Sequence, residues 1–441
     1  MSANPKAPPK TNPFWALFVL FLANVFNQGD RILFGTVVDP IGRDLAISDT
    51  EMSLASGLFF VLFNLVGGLF IARLVDRGNR VRILAIGVAV WSLATAATGL
   101  ATGFSTLALA RIVVGIGEAT AVPAAMSLIP DLFRMEARGR AVAVFQTSSF
   151  VGIVGGTIIA GVLAAAMGWR SMFIVCGLSG LSVTALLLFS VREPEREEQA
   201  DRTAIPAYWR DLVDGCGRVL HRPGFLLLMA GFGAGSMMTF VLAAWAPTFL
   251  LRSHDVPLAQ VGLVIGPAVG LGGIFGALAS GMFADRMVRK RNLAADMLKV
   301  PLWSIPLSLP FMAGFIFLPW LAAAMACAAV MNFLLSMATP TAMNFVVNSV
   351  APGDRGLSAT LLLAATGLVG GTMGPFIVGL LSDLLAPRLG DESLRIAIAA
   401  MLATPVVATI FLVAAYRRAT KAAIDEAGAT ITDPQGLPAG R

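Results

Sequence analysis

Apolar runs of about 20 residues recur along the whole chain, and a run of that length crosses a bilayer as one helix. By that rule the sequence predicts twelve spans, at roughly 14–37, 52–73, 81–103, 106–128, 141–165, 171–191, 225–251, 259–283, 298–318, 320–347, 356–386 and 393–416. Of the 441 residues, 57% are hydrophobic and only 13% charged. A water-soluble domain is nearer half apolar and a quarter charged, so the bilayer is the solvent this chain is built for. In hydrocarbon each backbone N–H and C=O must be satisfied internally. The expected fold is therefore all-α.

Charge placement sets the expected topology. Most of the 32 Lys and Arg residues fall in the N-tail, the C-tail and every second loop. By the positive-inside rule both termini are cytoplasmic and the number of spans is even. The segments expected are an N-tail 1–13, a first bundle 14–191, a cytoplasmic linker 192–224, a second bundle 225–416 and a disordered tail 417–441. The first apolar run is too long for a signal-peptide core and lacks a clear cleavage site, so it reads as a retained span. In the linker, Trp209, Leu212, Val213, Cys216, Val219 and Leu220 recur at helical spacing after Pro206. That pattern predicts an amphipathic helix on the inner membrane face.

The two halves repeat each other. "GIVGGT" at 152–157 returns as "GLVGGT" at 367–372, preceded by Arg138-Gly139 and Arg355-Gly356 respectively. "DRGNR" at 76–80 returns as "DRMVRK" at 285–290, at nearly the same offset. A six-plus-six arrangement about an axis along the membrane normal follows, as in transporters whose site lies between the halves. The glycines suit close helix packing. The Asp-Arg loops serve either as topology markers or as a clasp. In the second case Asp76, Arg77, Arg80, Asp285, Arg286 and Lys290 gate one end, with a carboxylate bonding the amides at a neighbouring helix N-terminus.

Other function classes find little support. Cys176, Cys216 and Cys327 lie far apart, without CxxC or zinc spacing, so no metal site and no disulfide framework is expected. No span contains a histidine, and there is no GxSxG, HExxH or P-loop. The Gly231, Gly233, Gly235 run sits in a predicted span, not after a strand. No catalytic residue and no cofactor is expected. No basic patch interleaved with aromatics points to nucleic acid. A receptor that keeps a transporter fold without turnover stays open at this point.

The motifs resemble the major facilitator superfamily along essentially the whole chain. Gly281-x3-Asp285-Arg286-x3-Lys290 is similar to its cytoplasmic signature; in the first copy Ala72 stands where the leading glycine belongs. "RIVVGIGEA" from Arg111 resembles its span-4 signature. "NQGDR" (Asn27–Arg31), "GEATAVPAAMSLIPDLF" (Gly117–Phe133), "WSLATAATGLA" and "GWRSMF" resemble the Spinster branch. Gln28 replaces a usual aromatic there, and Pro130 a usual serine. The resemblance implies twelve helices in two pseudo-symmetric bundles and proton-linked movement of amphipathic lipids such as lysophospholipids or sphingosine phosphate. It implies Asp30 and Glu118 as coupling residues, with Arg31 and Arg111 as charge partners. A monomer in a bacterial inner membrane is expected, with protons, membrane lipids and a small-molecule or lipid substrate as partners.

The residues themselves lead the same way. Glu118 falls near the middle of span 4, where an acid costs about 2.5–3.5 kcal/mol on the insertion scale. Arg111 lies seven residues earlier on the same helical face, about 10 Å away by the helical rise. That is too far for direct pairing but close enough to share a cavity. A carboxylate that alternates between wet and dry, or paired and unpaired, changes its proton affinity and can couple protons to rocking. An arginine fork suits an anionic headgroup. Arg111, with Arg31, is expected to hold substrate anion or the switch carboxylate; a permanent ion pair fixing two helices is the structural alternative. The second half offers an apolar, methionine-rich wall, with Met237, Phe240, Asn332 and Asn344 as lining candidates. The expected substrate is an amphipathic anion, the alternative a small water-soluble organic anion.

Overall fold

The computed structural model describes residues 12–194, 205–291, 294–351 and 354–432. Among them there are helices and no strand. Eleven helices or helix pairs are long and apolar enough to cross a membrane. The first half contains α1 (Pro13–Thr36), α2 (Val38–Leu45), α3 (Asp49–Ser53), α4 (Phe60–Arg77), α5 (Arg80–Thr98), α6 (Phe104–Glu118), α7 (Ala121–Leu132) and α8 (Met135–Ser190). The linker helix is α9 (Ile205–Leu220). The second half contains α10 (Phe225–Ser253), α11 (Leu258–Arg291), α12 (Lys299–Leu307), α13 (Leu309–Phe317), α14 (Leu321–Ser336), α15 (Ala338–Asn348), α16 (Arg355–Ala365), α17 (Gly374–Leu389), α18 (Glu392–Ala399) and α19 (Ala403–Thr432).

The 56 residues of α8 are two spans joined at Gly168. Gly168 has φ +80° and ψ 159°, a region open in practice only to glycine. Counting its two legs separately gives the twelve crossings expected. The span containing α3 and α4 passes through a π turn at Leu54–Phe59, and that of α16 and α17 through one at Thr366–Met373. Such turns are frequent at functional sites.

One correction concerns the C-terminal end. The segment 417–441, expected to be disordered, is helical through Thr432, because α19 continues past Tyr416. Its alanines, Lys421 and Glu426 are good helix formers, so the helix outlasts the apolar run. The N-tail lies outside the described residues up to position 11; Asn12 caps α1, its side chain accepting from the Phe14 amide. The predicted linker helix is present as α9. It docks by Gly215 against Leu357 and by an Arg218–Asp354 ion pair of 2.8 Å.

Contacts divide the chain into two compact units. One holds Met1–Asp201, Val241–Gly270 and Pro375–Ala397; the other holds Arg202–Phe240, Leu271–Gly374 and Ile398–Arg441. The first unit therefore takes the whole first half together with one end each of α10 and α11 and most of α17 and α18. Its core packs Trp91, Val88, Leu84, Val114, Leu128 and Phe145.

Candidate functional site

Within the first unit a polar face is buried among apolar helices. On α1, Asn24, Asn27 and Asp30 follow one another at three-residue spacing, and all are buried. On α6, Arg111, Gly115 and Glu118 share one face, Arg111 and Glu118 at 2% exposure. Gly115 is required there: a Cβ would stand 2.7 Å from the Phe60 carbonyl oxygen. That close approach sets Arg111 against Phe60, and Asn64 Nδ2 donates to the Gly115 carbonyl at 3.0 Å.

Glu118 lies at a break in its span. α6 ends on it, and α7 starts at Ala121. Pro123 has no N–H to give the Ala119 carbonyl, and its ring crowds that carbonyl, so the helix cannot run straight through. Asn27 Nδ2 donates to the Glu118 carbonyl at 3.3 Å. A broken helix at membrane depth is tolerated where buried side chains satisfy the freed backbone.

Of the two arginines considered as charge partners, one makes the ion pair. Arg31, not Arg111, holds Glu118: its Nε donates to Oε2 at 2.7 Å. Asp30 accepts a short hydrogen bond from the Thr95 hydroxyl on α5. The two acids, grouped together from sequence, thus sit in separate hydrogen-bonded pairs. Arg111 has no salt bridge within 4 Å among the described residues, and its Nε and Nη1 have no hydrogen-bond partner there. Its guanidinium lies over Phe34 and Phe60, each at 4.9 Å, and Arg31 lies over Phe60 at 5.1 Å. A cation over a ring face is stabilised by the ring quadrupole. Glu118 Oε1 also lacks a partner. A buried fork with two unused donors can receive a carboxylate or phosphate.

The second-half candidates belong to the other unit. Met237 and Asn332 are buried, Phe240 is 37% exposed and Asn344 is exposed. Phe240 packs on Gly370 and Gly371 in the π turn, where added Cβ atoms would meet its ring at 3.1 and 3.3 Å.

Of the gating candidates, the side chains of Asp76, Arg77, Asp285 and Lys290 lie outside the described residues. Arg286 is exposed near the end of α11. Arg80 is buried, and its described partners are Asp131 and Glu193, with the Ser127 carbonyl at 2.9 Å. Glu193 also accepts from the Val81 amide at 3.0 Å. An acid does meet a helix N-terminus here, but it comes from the end of the sixth span.

Sequence reasoning missed a second polar cluster, at the end of the unit opposite the N-terminus. Arg252, at the end of α10, donates to Asp39 Oδ1 at 2.7 Å and to both oxygens of Asp49 at 2.8 and 3.0 Å. Ser382 donates to Asp49 at 2.7 Å. Asp383 accepts from the Asp49 and Thr50 amides at 3.0 and 2.8 Å. Asp39 also pairs with Arg43 at 2.9 Å. The cluster joins α2 and α3 to α10 and α17. An arginine closing a span beside acids in an otherwise charge-poor loop was the available signal.

Comparison with known proteins now bears on this geometry. The Major Facilitator Superfamily pattern matches residues 20–375. The chain belongs to the major facilitator superfamily. Two curated relatives are each 30% identical to it: an MFS-type efflux pump of Mycolicibacterium smegmatis over 382 residues, 86% of both chains, and protein spinster homolog 1 of Homo sapiens over 394 residues, 83% of this chain and 72% of that one. Among solved structures, a bacterial homologue of the human lysosomal transporter Spinster, inward-facing and unoccupied, aligns with TM-score 0.82 and 24% identity, covering 94% of this chain and 98% of that one. At that identity the likeness is one of fold. This Spinster-like member of the superfamily is a multi-pass integral membrane transporter with the all-α superfamily fold, and not an enzyme.

Proposed function

We propose that this transporter couples proton movement to an amphipathic anion, such as a lysophospholipid or sphingolipid, by alternating access. The observation that carries the reading is Arg111: buried at 2% exposure, flanked by two phenylalanine rings, with two N–H groups unused beside the Arg31–Glu118 pair. A guanidinium with no ion pair among the described residues is held ready for an anion brought from outside.

Glu118 is the proton carrier in this reading, with Asp30 as a second acid. In this reading Glu118 gains and loses its proton as its pairing with Arg31 is made and broken. Arg111 takes the anionic head; Arg31, Met237, Phe240, Asn332 and Asn344 are the other substrate-binding residues proposed. The same guanidinium would serve a small organic anion, which is the alternative substrate. Charge asymmetry in the loops supports cytoplasmic termini. A monomer in a bacterial inner membrane, gated at one end by the Asp76 and Asp285 loops, completes the proposal.

The test is flux in proteoliposomes under an imposed pH gradient, comparing a labelled lysophospholipid with a panel of small organic anions. Gradient-driven lysolipid flux that is abolished by Arg111→Gln and by Glu118→Gln is the expected result. Flux of small anions alone would replace the lipid with the alternative. Flux indifferent to the pH gradient would sink proton coupling.

A further inference from the structure

In the second unit the chain turns from α9 into α10 against the side of α19. Gly224 makes that turn at φ +85°, and a Cβ there would stand 2.9 Å from the Ala415 carbonyl oxygen and 3.4 Å from Arg418 Cβ. The contact continues along the two helices: a Cβ on Gly231 would stand 2.8 Å from Leu412, and one on Gly235 3.5 Å from Ala408. Small residues let membrane helices close on each other in this way. Together α10 and α19 form one continuous wall. Its outward side is apolar, with Leu226 59%, Val406 52% and Ile410 63% exposed. Apolar side chains exposed on a membrane span face acyl chains.

Charge at the edge of this wall is unbalanced. Arg222 stands just before Gly224, and Arg417 and Arg418 stand beside the same turn on α19; all three are exposed. None of them makes an ion pair among the described residues. The acids that come close are already engaged. Asp354 accepts from Arg218 at 3.2 and 2.8 Å, one on each oxygen. Asp296 holds Lys299 at 2.7 Å and accepts from the Tyr416 hydroxyl at 3.1 Å. Asp214 and Asp425 stand two helical turns along the chain from Arg222 and Arg418. The surplus guanidiniums thus sit where the apolar wall stops, at the level of phospholipid headgroups. A guanidinium fork matches phosphate oxygens in bidentate fashion.

We propose that the corner of α9, α10 and α19 binds an anionic membrane phospholipid. Its phosphate lies between Arg222 and Arg418, with Arg417 adding to the positive field, and its acyl chains run along Leu226 and Ile410. A zwitterionic lipid carries an ammonium beside its phosphate, which the three arginines repel, so the corner selects for net negative charge. The lipid here is a resident partner of the protein and not its cargo. Asp30, Arg31, Arg111 and Glu118 all lie in the first unit, so the site does not depend on the transport reading above. It is tested by equilibrium occupancy without any flux.

Native mass spectrometry of the full chain reads bound lipid directly. Dioleoyl phosphatidylglycerol is the probe, and dioleoyl phosphatidylcholine its zwitterionic counterpart, each titrated separately. The first phosphatidylglycerol should bind about fivefold more tightly than phosphatidylcholine, or better. Arg222→Gln and Arg418→Gln should each weaken it about fivefold, and the two together about 25-fold, with phosphatidylcholine unchanged. Replacing both arginines by lysine keeps the charge and loses the fork, so its affinity should fall between the native chain and the double glutamine variant. Arg388→Gln, at an exposed position in the first unit, makes the same change of net charge and should leave the affinity as it is. Equal affinity for the two lipids, unchanged binding in the double glutamine variant, or an equal loss in Arg388→Gln would each overturn the proposal. Displacement of the lipid by equimolar inorganic phosphate would also overturn it, because the apolar wall would then take no part.

Discussion

Arg252 is the tie between helices of the two sequence halves, and its removal has a magnitude that can be worked out. Three charge-assisted hydrogen bonds run from its guanidinium to Asp39 and Asp49. Breaking a buried pair by removing one partner costs about 3–5 kcal/mol. Arg252 is not fully buried, at 17% side-chain exposure, and water screens what it reaches. Asp39 also keeps Arg43, and Asp49 keeps Ser382. Arg252→Met should therefore cost about 2–3 kcal/mol, less than the buried-pair figure. If the cluster exists only while this end is closed, the closed state loses that amount, and the open-to-closed ratio rises about 30- to 150-fold. Spin labels on Ser105 and Gln260, both exposed, would report it by pulsed electron–electron distance measurement in liposomes. A longer-distance population should grow in Arg252→Met and stay small in the native chain. An unchanged distance distribution would refute the reasoning and make the cluster a permanent fastening.

Four further outcomes are expected. Arg31→Gln leaves the Glu118 carboxylate buried without its cation; with the Arg31 side chain 36% exposed, the loss should be about 1–2 kcal/mol, below the buried-pair figure, and Arg31→Gln with Glu118→Gln together should recover much of it; thermal unfolding of purified protein checks both. Gly168→Ala puts a Cβ at φ +80° and should cost about 1–3 kcal/mol in the same assay. Burial, then the positive charge of Arg395, holds His254 below its ordinary value, against an opposing pull from Asp255. The unfolded chain then takes the proton first, so this contribution is full above a pH of about 6.5 and is lost as pH falls below it; His254→Phe should flatten that acid-side loss of melting temperature. The Arg218 guanidinium, by its hydrogen bonds, holds Asp354 below the usual carboxylate range. Docking of α9 should accordingly persist above the ordinary aspartate value and weaken only as pH falls through the lower one, as read by hydrogen exchange along Ile205–Leu220.

Much of the architecture was legible because it is local. Each span announces itself by its own twenty residues, and Gly168 with its flanking apolar legs turns one 56-residue helix into two crossings. The burial of Arg111 and Glu118 on one face followed from a spacing of seven. Even the break beside Glu118 is written in the sequence, in Pro123. The extent of α19 was misread because hydropathy marks where the membrane ends, not where a helix ends.

Pairing was not legible, because it depends on helix rotation and approach between segments distant in sequence. Arg31 reaches Glu118 across 87 residues while Arg111, on the same helix as Glu118, does not pair with it. The placement of α1 against α6 decides that, where Asn27 of α1 donates to the Glu118 carbonyl at 3.3 Å. Asp49 and Asp383 meet across 334 residues, and Arg80 finds Glu193 across 113. The sequence by itself determined how many times the chain crosses the membrane and which charged residues it carries across. Only the tertiary structure decided which of those charges neutralise one another and which guanidinium is left over, because a side chain's partner is set by packing across helices and not by anything within its own turn.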